Sequence, residues 1–114
     1  MNEFLVVLEN TPGSLAECCE AIGRAGINIV GGAGIGSSVS AAVVVTEENE
    51  ETAAALTSVG VKFTRQDLHT TVLDDIPGAL GIFTRGLAEN GINLRSIHIL
   101  GSGEDGVKIG YSIE

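Results

Sequence analysis

The chain has no tryptophan, and aromatic residues make up only 4 % of its 114 positions. Any core must therefore come from Ile, Val, Leu and Ala, which suffice for a domain of this size. Basic residues are also scarce. Six Lys and Arg against fifteen Asp and Glu leave a formal charge of -9, and Arg24, Lys62, Arg65, Arg85, Arg95 and Lys108 are scattered singly. A phosphate backbone or an anionic membrane is a poor partner for such a surface, so neither nucleic acid nor membrane binding is expected. No purely apolar run is longer than residues 41–45, and residues 1–4 lack the basic start and apolar stretch of a secretion signal. A cytoplasmic protein is expected. The only two cysteines, Cys18 and Cys19, are neighbours and offer no disulfide framework. Adjacent helical side chains point about 100° apart, so the pair reads as packing residues.

Against these absences stands an internal repeat. The segment NTPGSLAECCEAIGRAGINI at 10–29 returns as DIPGALGIFTRGLAENGINL at 75–94, and the offset of 65 residues never slips. Leu8/Leu73, Pro12/Pro77, Gly13/Gly78, Leu15/Leu80, Gly26/Gly91, Asn28/Asn93 and Gly36/Gly101 are identical pairs at that spacing. Two copies are too few for a solenoid and indicate two similar small modules, 1–66 and 67–114.

Each copy reads as strand, helix, strand, strand. Residues 4–8 and 68–73 are β-rich runs that end in polar residues followed by Pro-Gly, the chemistry of a helix start. Leu15, Cys18, Cys19 and Ile22, and Leu80, Phe83 and Leu87, recur at amphipathic-helix spacing. Gly26 and Gly91 fall where a helix end favours positive φ. A third strand, 39–45 or 107–113, follows a Gly-Ser turn in both copies. Only the first copy continues, with acidic residues opening a helix to about Val59 and a fourth strand from Val61 to about Gln66. The fold class is thus α+β: a ferredoxin-like βαββαβ module followed by a truncated βαββ copy, with antiparallel sheets and helices on one face. The shorter copy should leave part of its sheet without helix cover.

Several familiar sites fail in detail. The glycines of GGAGIGS at 31–37 miss both phosphate-binding patterns at Ser37, and the repeat maps them onto the plain strand SIHILGS. Glycines in a strand mark a bulge or a close approach, here of a second chain or module in preference to room for a ligand. The shift of apolar phase across Arg95 and Ser96 suggests a bulge there. His69 and His98 have no ligating partners at metal spacing, and no nucleophile motif is present, so neither a metal, a cofactor nor catalysis is expected. The repeated strand-to-helix corner has more usable chemistry. Asn10 and Asp75 stand two residues before Pro-Gly, where a side-chain oxygen can cap the helix. The remaining N–H groups attract an anion, and Gly13 or Gly78 lets a ligand approach the backbone. The oxygens of Asn10, Asp75, Asn28 and Asn93 could accept from an ammonium group, so the two charges of an amino acid could both be matched. The plain alternative is that Pro-Gly only starts a helix and Gly-Ile-Asn only ends one.

Both ENTPGSL...AGINI and DDIPGAL...NGINL resemble the ACT domain, a ferredoxin-like module that binds amino acids and regulates their metabolism. The resemblance spans essentially the whole chain as a tandem pair. It implies that modules pair edge to edge and that effectors sit where they meet. One site would combine Asn10, Thr11, Pro12, Gly13, Ser14 and Leu15 with Asn93, Leu94, Arg95 and Ser96. Its mate would combine Asp75, Ile76, Pro77, Gly78, Ala79 and Leu80 with Asn28, Ile29, Val30 and Gly31. Asp75 in place of Asn10 favours a cationic group, while Arg95 would assist a carboxylate at the first corner. The expected function is a non-catalytic amino-acid sensor, working as a homo-oligomer, in the first instance a dimer. The alternatives are an interaction module without a small ligand and, more remotely, an enzyme acting on a small acid.

Overall fold

The computed structural model describes residues 1–114, which divide into two compact units, Met1–Asp67 and Leu68–Glu114. The first unit runs β1 (Asn2–Val7), α1 (Ser14–Arg24), β2 (Ile29–Gly36), β3 (Ser40–Thr46), α2 (Asn49–Ser58) and β4 (Lys62–Asp67). Its antiparallel sheet has the order β2-β3-β1-β4. Strand alternation sorts β1 into two faces: Phe4 and Val6 are fully buried, while Leu5 and Val7 are exposed. Phe4, Val6 and Val44 of the sheet meet Cys18 and Ile22 of α1 and Ala55 and Leu56 of α2. The core is largely aliphatic, as the composition demands, with Phe4 and Cys18 added to it. Cys18 belongs to it and Cys19 is half-buried, both as free thiols. The threonine hydroxyls of β3 and α2 meet inside it, Thr46 to Thr52 at 2.6 Å. At the sheet edge Arg65 of β4 grips Glu50 at 2.6 Å and lies over the Phe4 ring.

The second unit runs β5 (His69–Leu73), α3 (Ala79–Glu89), β6 (Leu94–Gly103) and β7 (Gly106–Ile113), in the antiparallel order β5-β7-β6. Its aromatic residues cluster where α3 meets the sheet, with Tyr111 against both His69 and Phe83 at centroid distances of 5.3 Å. Helix α1 packs beside α2 and buries Cys18, Ala21 and Ile22. Helix α3 has no second helix in its unit, none of its residues is buried, and Ile82 is 76 % exposed.

The local signals are expressed alike in both copies. Gly26 at φ 77° and Gly91 at φ 71° end the helices. The following N–H groups return to the last turn, Ile27 to Ile22 O at 3.2 Å and Ile92 to Leu87 O at 3.0 Å, as in a Schellman cap. The phase change in the second copy is a register shift between Leu94 and Ser96, and β2 has the matching shift between Ile29 and Gly31. The glycine run lies in β2, as its alignment with a plain strand requires. No helix is long and apolar enough to cross a membrane.

Candidate functional site

In both units the Pro-Gly corner is a type II turn. Pro supplies the fixed φ of its second position, and Gly13 at φ 93° or Gly78 at φ 90° supplies the positive φ of its third. The turn closes with Ser14 N–H on Thr11 O and Ala79 N–H on Ile76 O, both at 3.3 Å. The glycine itself is the N-cap residue and no side chain caps either helix. The expectation that Asn10 and Asp75 cap the helices is therefore corrected. They lie three residues too early, because the turn intervenes between them and the first helical residue. The Asn10 carboxamide instead lies over β2, its oxygen 3.8 Å from where a Cβ of Gly36 would stand.

The consequence is an open, positively polarised helix start beside a groove. In the first unit the groove has a volume of about 260 Å³ and is walled by residues 8–11, Ser14 and Leu15 on one side. Gly34, Ile35 and Gly36 of β2, with Ser40 and Ala41 of β3, form the other. Strands β1 and β2 are both antiparallel to β3, so they run the same way and the end of β2 arrives beside the corner. Gly34 keeps that approach open, since a Cβ there would lie 3.6 Å from Leu15 Cδ2. The Thr11 and Ser14 hydroxyls are 2.9 Å apart, and Ser14 donates to Thr11 O at 3.1 Å. The Ser40 hydroxyl is buried without a hydrogen-bond partner.

The second unit holds a groove at the same register, about 150 Å³ in volume, between residues 73–76, Ala79 and Leu80 and the strand residues Ile99, Val107 and Ile109. Of the residues read from the sequence, Asn10, Thr11, Ser14 and Leu15 come together in one groove, and Asp75, Ile76, Ala79 and Leu80 in the other. Pro12, Gly13, Pro77 and Gly78 shape the turns without lining them. Ile29, preceded by Asn28, opens β2, and Leu94 with Arg95, preceded by Asn93, opens β6. Asn93 donates to Glu114 Oε2 at 2.7 Å. The strand residues Gly34, Gly36, Ser40 and Ile99 escaped the sequence reading. The run of glycines was the available signal, but assigning it to the corner needs the strand order.

A broader hollow of about 450 Å³ lies beside the first corner, lined by Glu9 and Glu17 and by residues 59–62. No group of three or more His, Cys, Asp or Glu side chains is gathered into a metal-binding cluster.

No family model matches this sequence, and no curated protein matches it. Solved structures do. A protein from Bacteroides thetaiotaomicron superposes with a TM-score of 0.85 at 16 % identity, over 99 % of this chain and 78 % of that one. The ligand-free regulatory subunit of aspartate kinase from Thermus thermophilus gives 0.71 at 20 % identity, over 98 % of this chain and 80 % of its own. The regulatory subunit from Thermus flavus gives 0.72 at 18 % identity, over 98 % and 81 %. The chain thus has the ferredoxin-like, ACT-type fold of these regulatory subunits.

Proposed function

We propose that this chain, built on the tandem ACT-type fold, is a non-catalytic regulatory protein that binds an amino acid at the strand-to-helix corner. The observation that carries the reading is a groove recurring at the same register in two copies, each beside a helix whose first N–H groups have no side-chain cap. Those N–H groups suit an α-carboxylate, and the Glu9 carboxylate and Asn10 carboxamide oxygen suit an α-ammonium. Ligand-binding cavities for drug-sized molecules run from about 300 to 1,000 Å³, so a groove below that range fits a metabolite of amino-acid size. The aspartate kinase regulatory subunits that share the fold support a regulatory role over a catalytic one. The strand starts at Asn28, Ile29, Asn93, Leu94 and Arg95 belong to the proposal as the segments that a facing module would present to such a groove.

Binding would act by mass action, favouring whichever packing or partner holds the ligand-competent corner. Calorimetry with each of the standard amino acids on the folded full chain tests this. A saturable response to one or a few is expected, and none from any would refute it. The exposed Ile82 and the unburied α3 favour a second reading, an interaction module that needs no small ligand. Light scattering separates the two: self-association indifferent to every amino acid supports the second.

A further inference from the structure

The repeat provides a position-by-position comparison of its two corners, and beside the helix start that they share they differ in hydroxyl groups, in groove volume and in charge. At the offset of 65 residues Thr11 becomes Ile76 and Ser14 becomes Ala79, so both hydroxyls of the first corner are replaced by apolar groups. Gly34 becomes Ile99, which lines the second groove where the first has no side chain at all. The groove volume falls accordingly, from about 260 to about 150 Å³. Charge changes too. The first groove has the single carboxylate of Glu9 beside neutral Asn10, whereas the second has Asp74 and Asp75 together. A helix start contributes roughly half a positive charge. Both grooves stay net negative against that half charge, and the second is lined by one carboxylate more, so it is the less hospitable to a ligand carboxylate.

We infer that the chain takes one amino acid, at the first corner, and that the second corner has been closed to it by Ile99 and the Asp74–Asp75 pair. The inference rests on the amino-acid reading above and adds its stoichiometry and its gate. The gate is Gly34. It lies in regular strand and a Cβ there makes only ordinary contact with Leu15, so a methyl group is accommodated there and reaches into the groove. A ligand side chain that runs over Gly34 meets Leu15, so a short one is expected.

Amide-resolved NMR titration of the full chain with L-serine, L-threonine, L-alanine and L-valine, each to saturation, tests this directly. Saturable shifts are expected at residues 8–16 and 34–41, with none at 73–81 and 99–109. Shifts of similar size at both corners, or at the second alone, overturn this inference and leave the amino-acid reading standing. No shift with any of the four, combined with a positive calorimetric response to a larger amino acid, overturns the size limit. No response to any amino acid by either method overturns both. Gly34→Ile should weaken the strongest of the four by at least about tenfold, the scale of a misplaced methylene group or more in a fitted pocket. Gly34→Ala should do so less, and Ile82→Ala, which lines neither groove, should change nothing. Wild-type affinity in folded Gly34→Ile overturns the gate.

Discussion

Removing the Ser40 hydroxyl should stabilise the ligand-free protein. Its oxygen is buried and makes no hydrogen bond, in a hairpin whose backbone is otherwise paired, Gly36 with Ser40 and Leu8 N–H with Ser40 O at 3.0 Å. A buried polar group without a partner costs about 1–3 kcal/mol. Alanine keeps the Cβ and gives up a fraction of a kcal/mol in strand preference, on a scale spanning about 1 kcal/mol. For a cost near the middle of that range, about 2 kcal/mol, the expected net gain for Ser40→Ala is therefore about 1 kcal/mol. In a unit the size of Met1–Asp67, a gain of that size corresponds to roughly 4–8 °C in Tm. Urea unfolding should show a higher midpoint with an unchanged slope. Ser37→Ala and Ser38→Ala, at exposed positions of the same hairpin, serve as controls and should stay within about 0.5 kcal/mol of the parent. If Ser40→Ala leaves stability unchanged or lowers it, the hydroxyl has a partner in solution and the reasoning fails. The proposed function adds an opposite sign for binding: Ser40 lines the groove, so the stabilised variant, which lacks its hydroxyl, should bind more weakly.

Gly13→Ala should destabilise by about 1–2 kcal/mol, the cost of a left-handed residue with a Cβ. No atom lies within 4 Å of the added methyl, so the penalty is one of backbone conformation alone, readable as a lower urea midpoint. Burial pushes the Cys18 thiol above its ordinary range, helped by Cys19 and Glu17. A thiol reagent near neutral pH should therefore titrate Cys19 first and reach Cys18 only on unfolding. The hydrogen bond from Arg65 holds the Glu50 carboxyl below the usual carboxylate range. A depressed folded pKa gives stability that is full above the unfolded value and lost as pH falls through the folded one. The difference between the parent and Glu50→Gln should thus persist at neutral pH, shrink below the ordinary carboxylate range, and weaken with salt because the pair is exposed.

Most of the chain's local structure was legible in one dimension because its causes are local. Pro12-Gly13 and Pro77-Gly78 start helices through a turn that those two residues alone specify, and Gly26 and Gly91 end them by accepting a positive φ. The apolar period assigned Cys18 and Ile22 to the buried face of α1. The 65-residue offset transferred each of these readings from one copy to the other, and the change of apolar phase across Arg95 and Ser96 foretold the register shift there.

Position relative to other strands was a different matter. Asn10 read as a helix cap because sequence shows only its distance from Pro-Gly, whereas its oxygen faces Gly36 because the sheet order delivers the end of β2 to that corner. For the same reason Gly34 and Ile99 were read as strand residues with no visible stake in the corner, and Ser40 was not singled out at all. Turns and the glycine ends of the helices are fixed by neighbours a few residues away, so the amino-acid order alone determined them. The groove depends on which strands lie side by side and on what a missing side chain leaves open between them, and only the folded chain decides that.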